Sequence, residues 1–190
     1  MKIFFDNVNF NSSSGPNGFG KKLAFMIEKD NQVFSSVEDL IKIKEKPDVQ
    51  LSFIQATCRL APIVQRLDGI YFNSEQDFNS LNLPIESTYQ MSSAVIFQSD
   101  FNKKLTEKFF GKKENSFVIR NGTDLELISH ISPLENELFD TFDKVWCCAS
   151  SWRPHKRLKD NIRYFLDHGG ERDCLVIAGE NPDKMVSDPR

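Results

Sequence analysis

"VWCCASSWRPHKRLKDNIRYFLDHGGERDCLVIAGEN", residues 145–181, sets one amphipathic stretch between two short apolar runs. Runs of this length, bounded by turn residues, read as buried strands. Between them Leu158, Ile162, Phe165 and Leu166 recur at helical spacing, and Gly169 can stop that helix. Strand, helix and strand in one short stretch make a βαβ unit, whose two strands lie parallel. Its first turn holds Arg153, His155, Lys156, Arg157 and Lys159. Ligands of open α/β sheets bind at the carboxyl ends of strands, where this turn falls. Arginine offers a forked donor and lysine a compact charge, and both suit a diphosphate. Helical geometry keeps all five cations from reaching one ligand.

The same alternation extends back to residue 1. "KIFFDNV" reads as a first strand, and "NFNSSSGPNGFG" as a loop leading to a helix that begins near Gly18 to Lys21. "QVFSS" and "DVQLSFIQ" read as strands on either side of a helix in "SVEDLIKIKEK", with Ser36 as its cap. "DGIYFN" reads as a further strand, and "LPIESTYQMSSA" as a helix with Pro84 in its first turn. After "AVIFQ", Ser99 can cap the helix "SDFNKKLTEKFFG", with Asp100 in its positive first turn and Gly111 ending it. "SFVIRNGTD" is a strand entering a turn. The acidic stretch 124–143, with Pro133 inside it, reads as a linker or a peripheral helix. These elements predict an α/β fold with a mostly parallel, doubly wound sheet. The expected domains are 1–142 and 143–190. Two strands and one helix cannot close a doubly wound domain, so the last unit either joins the first sheet or begins an incomplete second domain.

Composition narrows the function classes. The 190 residues include 17 Phe and are 39% hydrophobic, enough for a packed core. A net charge of −3 excludes a broad nucleic-acid binder, so the basic turn points to a small anion. The N-terminus turns polar too early for a signal peptide, and no apolar run approaches a membrane span. A cytoplasmic location is expected, with peripheral membrane contact left open. Cys58, Cys147, Cys148 and Cys174 read as small hydrophobes of a reduced core. His130, His155 and His168 form no cluster, and no metal site is expected. Asn121-Gly-Thr123 matches a glycosylation sequon, read as accidental.

Three further places are candidate sites. Gly15, Gly18 and Gly20 follow the first strand and open a helix, where backbone can approach a phosphate. Their spacing is not the G-x-G-x-x-G of dinucleotide binders. Arg66 and Asp68 stand side by side, either at a cleft rim or as a turn pair, and Asp68 can hold a hydroxyl or assist a proton transfer. Asn121 and Gly122 end a strand, as a turn or as part of a cleft.

In order, "SGPNGFGKKLA", "RLDGIYFN", "AVIFQSDFNKKLTEKFFG", "FVIRNGTDLE" and "ASSWRPHKRLKDNIRYF…CLVIAGEN" resemble the retaining, nucleotide-sugar-dependent glycosyltransferases of family 4. The resemblance covers nearly the whole chain. It implies two Rossmann-like domains of the GT-B type facing across a cleft. The first would bind a sugar, glycan or lipid-linked acceptor, and the second the nucleotide-diphosphate sugar, with no metal. Gly15 and Gly18 would meet the donor phosphates, and Gly179 matches a glycine after the next strand. Lys156 matches the lysine that clamps the diphosphate. Ser151 stands where the family's clamp arginine does, which leaves Arg153, or else Arg157, as the second cation. Asp68 falls near a cleft histidine of many relatives. Asn121 and Gly122 match the family's Asn-Gly, and Arg66 and Ser99 would line the acceptor cleft. The family's paired glutamates lie beyond residue 190, so the donor domain is expected to be incomplete. The alternatives are a non-catalytic nucleotide- or carbohydrate-binding module derived from such an enzyme, a dinucleotide oxidoreductase, and a structural α/β protein.

Overall fold

A computed structural model describes residues 1–12, 14–123, 125–132 and 137–180, without the side chains of Leu127 and His155. The expectations for Pro133, for residues 181–190 and for the His155 imidazole lie outside the described residues. The chain divides into two compact units, Met1–Thr123 and Asp124–Arg190.

The first unit is a Rossmann-like α/β domain. Its strands are β1 (Lys2–Asp6), β2 (Gln32–Phe34), β3 (Val49–Phe53), β4 (Ile63–Leu67), β5 (Ala94–Phe97) and β6 (Ser116–Val118). They form one sheet in the order β2-β1-β3-β4-β5-β6, parallel throughout. Helices α1 (Gly15–Ile27), α2 (Val37–Ile43), α3 (Phe78–Met91) and α4 (Asp100–Phe110) connect them. The chain steps outward from β1 to β2, then returns to β3 on the other side. Loops leaving β1 and β3 therefore diverge, and a crevice opens between their carboxyl ends.

Register decides which side chains share a face. Phe53, Arg66, Ile96 and Phe117 are successive cross-strand partners, and so are Asp6, Ser52, Gln65 and Val95. Two cores result. Phe5, Leu51 and Phe53 pack with Ala24 of α1. Leu67, Val95 and Phe97 pack with Ile85 and Tyr89 of α3 and Phe110 of α4. Burying one such side chain contributes about 1.5–3 kcal/mol.

Several elements differ from the sequence expectation. Helix α1 starts at Gly15 rather than near Gly18, because Ser14 is extended and Pro16 has its backbone angle preset for a first helical turn. Pro84 sits inside α3, not at its start, because Asp77, seven residues earlier, caps the helix by accepting from the Ser80 N–H at 3.1 Å. The strand expected in "DGIYFN" is instead "IVQRL", Ile63–Leu67. Its Gln65 and Arg66 break the apolar pattern, yet they are 0% and 4% exposed.

The second unit holds α5 (Leu125–Ser129), β7 (Lys144–Ala149), α6 (Leu158–His168) and β8 (Asp173–Ala178). Strands β7 and β8 pair in parallel over six positions as a separate two-stranded sheet, so the last βαβ unit does not join the six-stranded one. Leu158 is buried on α6, and the Trp146 ring of β7 lies 6.0 Å from the Phe165 ring. Leu166, expected on the apolar face, is 73% exposed, since that position turns away from β7 and β8. No cysteine is fully buried, and Cys147 is exposed, because the strand pleat alternates it away from α6.

Candidate functional site

In the first unit, the carboxyl ends of β4, β5 and β6 bring four expected residues to one place. Arg66, in the penultimate position of β4, projects toward the α1 face of the sheet. Its guanidinium lies 3.9 Å from the centroid of the Phe19 ring and 5.6 Å from that of Phe53. It pairs with Asp68 and donates through Nη2 to Asn121 Oδ1 at 2.8 Å. Asn121 Nδ2 donates in turn to Gln98 Oε1 at 3.0 Å. Asn102 Nδ2 donates to the Asp68 carbonyl at 2.6 Å, and the Asn102 N–H is held by Ser99 Oγ at 3.2 Å. Ser99 is thus the cap of α4 and, through Asn102, a brace for the backbone at Asp68.

The electrostatics follow from depth. Burial lowers the Arg66 pKa, and Asp68 opposes that shift. Burial also pushes the Asp68 carboxyl above the ordinary carboxylate range, with the Arg66 charge pulling the other way. The Asp68 side chain stays 25% exposed, so a solvent-side ligand can reach it. A carboxylate oriented by an arginine and facing solvent can accept a hydrogen bond from a hydroxyl. Gly122 is exposed beside this cluster.

The glycines divide by role. A Cβ on Gly15 or Gly18 would meet nothing within 4 Å, so packing does not require either glycine. A Cβ on Gly20 would meet Val8 Cγ1 at 2.8 Å, so this glycine serves the contact between α1 and the loop after β1. Gly179 has φ +116°, and a Cβ there would fall 1.8 Å from the Ser150 carbonyl oxygen. It lets the turn after β8 pass close to the turn after β7.

The basic turn follows β7, as expected, but it does not begin an α-helix. Pro154–Lys156 form one 3-10 turn, Arg157 is left-handed at φ 55°, and α6 starts only at Leu158. Buried Trp152 anchors the turn by donating its indole N–H to the Ala178 carbonyl at 3.0 Å. Arg157 pairs with Asp160 at 2.6 Å, which commits its charge locally. Arg153 and Lys156 are exposed and have no ion pair among the described residues.

One site residue escaped the sequence reading. Asp6, closing β1, is 1% exposed and accepts from Gln50 Nε2 at 2.8 Å, Ser52 Oγ at 3.0 Å and the Thr57 N–H at 2.9 Å. The Thr57 hydroxyl also donates to it. The legible signal was an acidic residue ending an otherwise apolar strand. Among the described residues no cluster of His, Cys, Asp or Glu could hold a metal, and no helix is long and apolar enough to cross a membrane.

No protein-family model matches the chain, and no curated protein does. Among solved structures it is similar to the S. aureus MnaA–UDP co-structure, with a TM-score of 0.56 and 10% identity. The match covers 98% of this chain and 64% of that one, so this chain spans less than two thirds of that protein's length. Likeness at such identity is likeness of fold.

Proposed function

We propose that the chain carries the acceptor-side unit and the beginning of the donor-side unit of a retaining, nucleotide-sugar-dependent glycosyltransferase of the GT-B type. The observation that carries this reading is the Arg66–Asp68–Asn121 cluster, assembled from two strand ends, those of β4 and β6, where open α/β sheets bind ligands. The fold likeness to a structure holding UDP supports it, as does the basic turn at the carboxyl end of β7.

In this reading Lys156 and Arg153 meet the donor diphosphate. The bond from the anomeric carbon to the diphosphate oxygen breaks, and that oxygen gains negative charge. Cations held at that oxygen stabilise the transition state more than the bound donor. Arg157 contributes less, because Asp160 already neutralises it. Gly15 and Gly18 admit the donor phosphates to the start of α1, whose N–H groups favour an anion. Asp68 orients the acceptor hydroxyl, Asn121 and Gly122 border it, and Arg66 holds Asp68 in place. The new bond forms from the acceptor oxygen to the anomeric carbon on the face the donor oxygen left. The hydroxyl proton passes to the departing phosphate oxygen. No metal is required, and a cytoplasmic setting suits a nucleotide-sugar donor.

The test is donor turnover by the full-length protein across UDP- and GDP-sugars, with nucleotide binding followed by calorimetry. Lys156→Ala should lower turnover about 10²–10³-fold, the usual cost of losing one well-placed donor to a developing anion. Unchanged turnover removes Lys156 from the chemistry. Nucleotide binding without any product would instead favour a non-catalytic binding module.

A further inference from the structure

We infer that the cavity at the carboxyl end of β1 is a binding site for an uncharged polyol, a sugar, which Thr57 recognises by accepting a hydrogen bond from it. The cavity measures about 350 Å³ and lies by the crevice between the diverging loops after β1 and β3. Asp6, Asn7, Asn9, Asn17, Ser35, Val37 and Thr57 are among its walls, and neither lysine nor arginine lines it.

The hydrogen bonds specify the ligand's chemistry. Thr57 Oγ1 spends its only hydrogen on Asp6 Oδ1, so toward the cavity it can only accept. Asp6 cannot turn away, because Gln50, Ser52 and the Thr57 N–H hold its other oxygen. A ligand seated against Thr57 must therefore bring a donor, a hydroxyl or an amine. A phosphate or carboxylate group would bring its negative charge against an acceptor backed by the Asp6 carboxylate, and is disfavoured there. Asn17 is arranged the opposite way. Its Oδ1 accepts from the Asn9 N–H at 3.0 Å, which turns its NH₂ into the group available to a ligand. Asn9 Oδ1 is likewise occupied by the Asn11 N–H at 2.9 Å. The walls thus offer an acceptor at Thr57 and a donor at Asn17, with Val8 and Val37 supplying apolar contact. A molecule that both donates and accepts, and carries no charge, satisfies this set. Sugar hydroxyls do both.

As an acceptor subsite this inference rests on the transferase reading, but as a binding site it stands without it. The test is saturation-transfer NMR on the full chain with glucose, galactose and N-acetylglucosamine, alongside phosphorus NMR with inorganic phosphate. Thr57→Ser should keep the sugar signal, since the hydroxyl remains. Thr57→Val should weaken binding about tenfold, the cost of one unmet polar group. Val37→Trp, at an exposed position, should block the cavity while leaving the melting temperature in place, and it decides the matter if Thr57→Val does not fold. Three results overturn the inference: no sugar shows transfer, the signal survives Val37→Trp, or phosphate binds and is displaced by that substitution. Donor turnover in the same samples reports on the transferase reading separately. Sugar capture without turnover would sink that reading and keep this one.

Discussion

The Arg66 guanidinium sits over Phe19, its central carbon 3.9 Å from the ring centroid, and it reaches Asn121 at 2.8 Å from the same position. A residue of the first helix and one after the last strand of the sheet thus meet through a single buried cation. Phe19→Leu keeps the apolar contact and removes the ring's negative face. The cation–π contribution is about 0.5–2 kcal/mol. The midpoint of urea unfolding should fall accordingly, and donor turnover should fall with it because Asp68 loses its fixed partner.

Arg66→Met leaves Asp68 half-buried without a counter-charge. Removing one partner of a buried ion pair costs about 3 kcal/mol. The double variant Arg66→Met, Asp68→Asn should recover part of that loss. A double variant as unstable as the single one would show that Arg66 acts through packing alone.

The Asp68 carboxyl titrates above its unfolded value, because burial outweighs the pull of Arg66. The folded protein therefore holds this proton more tightly than the unfolded chain. Its contribution to stability is whole below the unfolded value of about 3.9 and is lost as pH rises through the raised folded value. Asp77 shows the opposite sign, since its hydrogen bonds from Ser80 lower its pKa. Its stabilisation of α3 is present above the ordinary carboxylate range and fades as pH falls through the lowered value. The pH dependence of the unfolding midpoint should weaken above the unfolded carboxylate value of about 3.9 in Asp68→Asn and below it in Asp77→Asn.

Glycine substitutions should separate packing from ligand approach. Gly179→Ala places a methyl group against the Ser150 carbonyl in a backbone conformation that itself costs about 1–3 kcal/mol. The second unit should lose its cooperative melt. Gly18→Ala has open space around it and should stabilise α1 by about 0.5–1 kcal/mol. If Gly18 admits a donor phosphate, the same variant should lose turnover while gaining stability. A variant that gains stability and keeps turnover places no phosphate at Gly18.

The element order was legible because its causes are local. Short apolar runs, Ser36 and Ser99 as caps, and Gly111 as a stop each act within a few residues of the chain. The basic turn was legible for the same reason, since its position follows from the strand before it. The misread strand at Ile63–Leu67 shows the limit. Gln65 and Arg66 look like surface residues, and their burial depends on partners elsewhere. Gln65 donates to the carbonyls of Ile54 and Ile85, and Arg66 reaches Asn121, 55 residues onward.

By itself the sequence determined an α/β chain of alternating strands and helices, with Asn121 and the basic turn at strand ends. Periodicity and capping are short-range, so these follow without knowledge of the sheet. Only tertiary structure decided that Arg66 is buried against Phe19, and that Asp6 is encircled by donors 44 to 51 residues away. Strand order decides both, because a buried polar group is stable only where a distant neighbour completes its hydrogen bonds.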